Sequence, residues 1–219
     1  MKIFLLFFLF MALSITVMAK QDVPKEFYEW TNIWSEGSDK TDKPHILLIG
    51  DSICDQNYGY IREKVGDKFY VDRITTSRAI DQDYFWKQLD MVLSDEDYEI
   101  ICYNFGLHGG HISLADYEKG MKKMADIMKK TKAKIIYVST SPVESNSEEN
   151  NNINKLTQEK NKICQQIAKD YKFTYCDIYN PAIEAEGMHN ENDTIHFSEK
   201  GKKLLSEIIA KTILEVNGE

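Results

Sequence analysis

The sequence predicts an α/β protein: a three-layer α/β/α sandwich around a five-stranded parallel sheet of flavodoxin-like order 2-1-3-4-5. Three observations carry this expectation. Short aliphatic runs alternate with longer segments whose apolar residues recur at three-and-four spacing. Strict alternation of that kind builds a parallel sheet with helices on both faces, and right-handed crossovers make 2-1-3-4-5 the common order at this size. The 219 residues, 42% hydrophobic and 28% charged, are enough for one well-filled core and short for two.

The elements follow in order. Residues 23–44 are aromatic, then polar, and read as a short helix followed by a loop. "HILLIG" (45–50) is the first strand, and "YGYIREKVG" (58–66) a helix closed by Gly66. "KFYVDRIT" (68–75) is the second strand and "DYFWKQLDMVL" (83–93) the second helix. "YEIICYNFG" (98–106) is the third strand, followed by an amphipathic helix over 113–131. "AKIIYVST" (133–140) is the fourth strand. The polar stretch "ESNSEENNNIN" (144–154) is a loop leading into a helix over 152–171, and "FTYCDI" (173–178) is the fifth strand. The closing helix spans 198–216 with Ser198 as its N-cap. There are no internal repeats.

Residues 1–19 do not fit this alternation. Lys2 precedes an almost unbroken apolar run from Ile3 to Val17, and Val17-Met18-Ala19 offers a signal-peptidase site. The run is short for a membrane span, which needs about 20 apolar residues. The expectation is a signal peptide over 1–19, a single domain over 20–219, no stable membrane span after cleavage, and a secreted or periplasmic address. The net charge of −8 argues against a nucleic-acid partner, which calls for a basic stripe. Four cysteines, at 54, 102, 164 and 176, have no CxxC spacing. Cys102 and Cys176 sit in strand patterns, which favours buried thiols over disulfides.

Ligands of open parallel sheets bind beyond the carboxyl ends of the strands. Three stretches lie there: Ser52 after the first strand, "NFGLHGGH" (104–111) at the end of the third, and "NENDTIH" (190–196) after the fifth. A serine hydroxyl is a poor nucleophile until a base takes its proton. His196 supplies that base, and Asp193, three residues earlier, fixes its tautomer. No metal or other cofactor is needed for such chemistry.

Gly50-Asp51-Ser52 near the start, with Asp193-Thr194-Ile195-His196 before the last helix, resembles the SGNH (GDSL) hydrolase superfamily. The resemblance spans essentially residues 20–219. It implies a flavodoxin-like sandwich, no metal, and ester hydrolysis through a serine acyl-enzyme, with Ser52, Asp193 and His196 as the catalytic residues. The two middle motifs depart from the family pattern. Where the family has a glycine whose N–H binds the oxyanion, the nearest match is Ser77 in "DRITTSRAI". Where it has Gly-x-Asn-Asp, "GLHG" puts His108 at the oxyanion-binding asparagine, with Asn104 inside the strand as the substitute. The implied oxyanion hole is drawn from Ser52, Ser77, His108 and Asn104. The form "NFGLHG" also resembles a divergent bacterial branch with members suspected of deacylating carbohydrates. The expected partner is a small-molecule or glycan ester, with an acetyl group on a sugar as the leading choice.

Two other readings stand beside it. His108, His111, His189 and His196 with Asp193 contain enough donors for zinc, although the HExxH helix spacing is missing. A secreted glycan-binding protein that kept the fold and lost the chemistry is the other. His111 reads as a surface group, Trp30 and Trp34 as core or lid packing, and Arg78 as a solvated side chain.

Overall fold

A computed structural model describes residues 23–218; the expected signal peptide lies outside the described residues. The chain runs β1 (Thr31–Trp34), β2 (His45–Gly50), α1 (Ser52–Val65), β3 (Tyr70–Thr76), α2 (Asp83–Asp95), β4 (Tyr98–Tyr103), α3 (Leu114–Met128) and β5 (Lys134–Val138). It continues through α4 (Glu148–Tyr171), β6 (Thr174–Cys176), α5 (Tyr179–Glu184), β7 (His189–Asn190), β8 (Asp193–Phe197) and α6 (Glu199–Asn217). The main sheet has the order β1-β3-β2-β4-β5-β6, and β7 pairs with β8 in a separate antiparallel ribbon.

Strands β3-β2-β4-β5-β6 are parallel throughout and reproduce the order 2-1-3-4-5. The sixth strand is the correction. Residues 31–34 form an antiparallel edge on β3, with Thr31 opposite Thr76 and Trp34 opposite Arg73. Trp30, Ile33 and Trp34 mimic helical spacing, but a run this short does not settle the period. Trp34 is 57% exposed on that edge, so it is not core packing.

The central strand shows how the layers are built. Side chains alternate across a strand. Ile46 and Leu48 therefore join the cluster under α1 and α6, with Ile61, Val65, Leu205 and Ile213. Leu47 and Ile49 join the opposite cluster, with Phe85 of α2, Met121 and Met124 of α3, and Cys164 and Ile167 of α4. Two cores of opposite face explain why "HILLIG" is apolar without a break.

Helix boundaries shifted where capping overrides composition. α4 starts inside the stretch expected as loop, because Ser147 accepts the Asn150 N–H at 3.1 Å and Glu148 and Glu149 favour the positive helix start. Ser198 caps α6 as expected, accepting from the Gly201 N–H. The four cysteines are free thiols; Cys102, Cys164 and Cys176 are buried and Cys54 is half-buried. Among the described residues no helix is long and apolar enough to cross a membrane.

Candidate active site

The turn from β2 into α1 is set by three successive residues. A Cβ on Gly50 would lie 2.6 Å from Cys54 Cβ, so glycine lets the first turn of α1 fold back against the strand end. Asp51 is the N-cap: its carboxylate accepts the Ile53 N–H at 2.9 Å. Ser52 is then the first residue of the helix, where its own N–H has no intrahelical acceptor. The hydroxyl thus sits at the carboxyl end of the sheet, beside the positive end of a 14-residue helix.

His196 reaches Ser52 from β8. Its Nε2 lies 2.9 Å from Ser52 Oγ, and its Nδ1 lies 2.5 Å from Asp193 Oδ2. The other oxygen of Asp193 accepts the backbone N–H groups of Ile195 (2.9 Å) and His196 (3.0 Å). The three-residue separation lets one carboxylate fold its own strand and orient the imidazole. Burial pushes the Asp193 pKa up, but the two backbone N–H groups and the His196 imidazole outweigh it and hold the carboxyl below its ordinary value. The pair is well exposed, at 39% for His196 and 40% for Asp193.

Three contacts that sequence reading missed hold β8 in place. Gln56 Oε1 accepts the Phe197 N–H at 3.3 Å and so ties β8 to α1. The Glu144 N–H donates to Thr194 O at 2.7 Å. His189 stacks on Phe197 at 4.6 Å between ring centroids, and its Nε2 lies 3.2 Å from Pro142 O. Each contact joins segments far apart in sequence, so no local pattern announces it.

The other expected oxyanion donors are engaged elsewhere. The Ser77 N–H donates to Trp30 O at 3.2 Å, and its hydroxyl accepts the Trp30 N–H at 2.9 Å. Ser77 extends the ladder of the edge strand that the sequence did not reveal. Asn104 uses its side-chain NH2 on Val138 O (2.8 Å) and Thr140 Oγ1 (3.0 Å), so it clamps the exits of β4 and β5. His108 turns its Nδ1 onto Glu26 Oε1 at 2.5 Å. His111 pairs with Asp81 at 2.8 Å, as a surface group would. The histidines weighed as zinc ligands therefore go to four different partners, and among the described residues no group of three His, Cys, Asp or Glu converges. Arg78 is not a solvated side chain: it bonds Gln82 Oε1 at 3.0 Å and stacks over Tyr84.

A parallel sheet of this order, with a serine at the first helix start and a histidine–aspartate pair before the last helix, defines the SGNH hydrolase class of carboxylic ester hydrolases. The family model for GDSL-like lipases and acylhydrolases matches residues 102–209. Similar solved structures include a Slackia heliotrinireducens protein assigned to the SGNH hydrolases, at 16% identity and TM-score 0.65, covering 78% of this chain and all of the other. A GDSL-like lipase from Bacteroides thetaiotaomicron aligns at 16% identity and TM-score 0.64, over 78% of this chain and 88% of its own. An acetylxylan esterase from Geobacillus stearothermophilus aligns at 15% identity and TM-score 0.62, over 80% and 94%. No curated protein matches the sequence.

Proposed function

We propose that this protein is a secreted or periplasmic serine esterase that removes a small acyl group, acetyl foremost, from a carbohydrate. The observation that carries the reading is the continuous hydrogen-bond chain from Ser52 Oγ through His196 to Asp193, at 2.9 and 2.5 Å. As the ester enters, His196 Nε2 takes the hydroxyl proton while Ser52 Oγ adds to the carbonyl carbon. Asp193 stabilises the imidazolium and keeps Nδ1 protonated. The Ser52 N–H, at the start of α1, supplies one donor to the oxyanion. Collapse expels the alcohol, which takes the proton from His196 and leaves the acyl group on Ser52. His196 then deprotonates a water, which releases the carboxylic acid and restores the hydroxyl.

Support for a small acyl group on a sugar comes from the exposure of the His196 and Asp193 side chains, at 39% and 40%. The structural likeness to an acetylxylan esterase points the same way. Extracytoplasmic glycans also suit the apolar leader read over 1–19. A fluorophosphonate probe, followed by peptide mapping, should label Ser52. Acetylated xylo-oligosaccharides should be better substrates than p-nitrophenyl esters longer than butyrate. A preference that rises with chain length would overturn the acetyl-carbohydrate reading. Absence of labelling and turnover, with glycan binding retained, would overturn the esterase.

A further inference from the structure

We infer that the Leu107 N–H is the oxyanion donor that replaces the missing asparagine, and that buried Lys160 is the positioning residue that aims and polarises it. The inference rests on the serine-esterase reading and adds a donor and its support to it.

The loop after β4 is held at three successive residues. Asn104 is clamped to β5 as described, Phe105 O accepts the Tyr117 hydroxyl, and Gly106 O accepts Lys160 Nζ at 2.8 Å. Gly106 presses against the Thr140 side chain so closely that a Cβ has no room. Lys160 is 2% exposed, forms no ion pair with a carboxylate among the described residues, and has the Tyr117 ring 5.1 Å away. Burial depresses its pKa. A lysine buried without a counter-ion is costly to keep, and its one hydrogen bond goes to a loop at the mouth of the candidate site.

The direction of that loop follows from peptide geometry. Among the described residues no cis peptide is present, and in a trans peptide the C=O and N–H point in opposite directions. Lys160 belongs to α4 and meets Gly106 O from the face that packs α3 and α4, where Phe105, Tyr117 and Cys164 cluster. The N–H of the same peptide, that of Leu107, therefore points to the α1 and α6 face, where the Leu107 side chain packs. Ser52 opens α1 on that face. The exit of β4 also runs directly beside the exit of β2, since the Asn104 N–H donates to Ile49 O at 3.0 Å. Among the described residues no acceptor takes the Leu107 N–H. An ammonium on the carbonyl makes the N–H of the same peptide a stronger donor.

The test replaces Leu107 by its α-hydroxy acid, which deletes the N–H and keeps the side chain. Loss of one oxyanion donor should lower kcat on p-nitrophenyl acetate by about 10²–10³-fold, with KM nearly unchanged. Lys160→Met should lower kcat by about 10-fold with KM again unchanged, and should add little to the Leu107 variant because both act through one peptide. A parent-level kcat in the Leu107 variant overturns the donor. A parent-level kcat in folded Lys160→Met, or a loss confined to KM, overturns the positioning role; if that variant does not fold, Lys160→Gln is read by the same criteria. Ser52→Ala separates the two layers. Full activity there sinks the esterase itself, whereas an inactive Ser52→Ala beside a fully active Leu107 variant sinks only this inference.

Discussion

Asp193→Asn separates two tasks that the wild-type carboxylate performs together. Oδ1 accepts the Ile195 and His196 N–H groups at 2.9 and 3.0 Å, and Oδ2 faces His196 Nδ1 at 2.5 Å. An asparagine keeps the first set through its carbonyl oxygen and turns its NH2 toward Nδ1. Nδ1 must then accept, so the ring proton moves to Nε2. That nitrogen lies 2.9 Å from Ser52 Oγ and can no longer take the hydroxyl proton. In a triad with a buried aspartate this exchange costs about 10⁴ in kcat. Here His196 and Asp193 are 39% and 40% exposed, so water competes for Nδ1 and weakens the tautomer bias. A loss of about 10²–10³ is the expected outcome.

Asp193→Ala gives the contrast, since it orphans the two backbone N–H groups as well. At about 0.5–1.5 kcal/mol for each lost hydrogen bond, it should destabilise the fold by about 1–3 kcal/mol, while the asparagine variant stays near the parent. Steady-state hydrolysis of p-nitrophenyl acetate, with a thermal melt on each variant, reads both quantities. A kcat for Asp193→Asn within about threefold of the parent would refute the tautomer argument. Equal loss of Tm in the two variants would refute the assignment of the backbone bonds to Oδ1.

Ser52→Ala should abolish turnover and labelling while leaving the melt unchanged, and the double variant with His196→Ala should be little worse than either single, because the triad acts as a unit. Fully additive losses would place the two residues in different steps. Lys160 gives a pH signature in stability. Its folded pKa lies below the ordinary 10.5, so the penalty of the buried charge is full below the folded value and fades as pH rises toward 10.5. The stability of Lys160→Met relative to the parent should therefore fall as pH is raised through that window. A pH-independent difference would mean that Lys160 titrates alike in the folded and unfolded chains, so that burial does not penalise its charge.

The layers and the pairing order were legible because each carries a periodic signal. "HILLIG" is apolar throughout only because both faces of β2 are covered, and α3 keeps its apolar stripe on one side. Ser52, His196 and Asp193 were legible because each sits beside a local constraint: a glycine that admits the helix, a cap, and a three-residue Asp-to-His spacing. What the sequence hid depends on contacts distant along the chain. β1 exists because Thr31 and Trp34 meet Thr76 and Arg73, more than thirty residues away. That pairing takes the Ser77 N–H. Asn104 looked like a donor for the site because its type suits the task, but its NH2 is used by Val138 and Thr140 on the neighbouring strand. Residue type is readable from a sequence; which partner has already taken a donor is not.

The N-terminal segment packs against both stretches where the chain departs from the middle family motifs. Glu29 Oε1 accepts the Gln82 side-chain N–H, Trp30 exchanges hydrogen bonds with Ser77, and Glu26 meets His108. Residues 26–30 thus lie along the loops after β3 and β4, at the two places where the family resemblance puts oxyanion donors. On this account His108 fastens the segment and does not touch the reacting atoms. Glu26 is 49% exposed, and an ion pair of that kind is worth about 0–1 kcal/mol. His108→Ala and Glu26→Ala should therefore each cost less than about 1 kcal/mol of stability and should not add, since each breaks the same pair. Both should speed proteolysis within residues 24–30. His108→Ala should change kcat by less than about threefold, against the 10²–10³ that loss of an oxyanion donor costs. A 10²-fold fall in kcat at constant KM would bring the imidazole back into the reaction and make the Glu26 contact incidental.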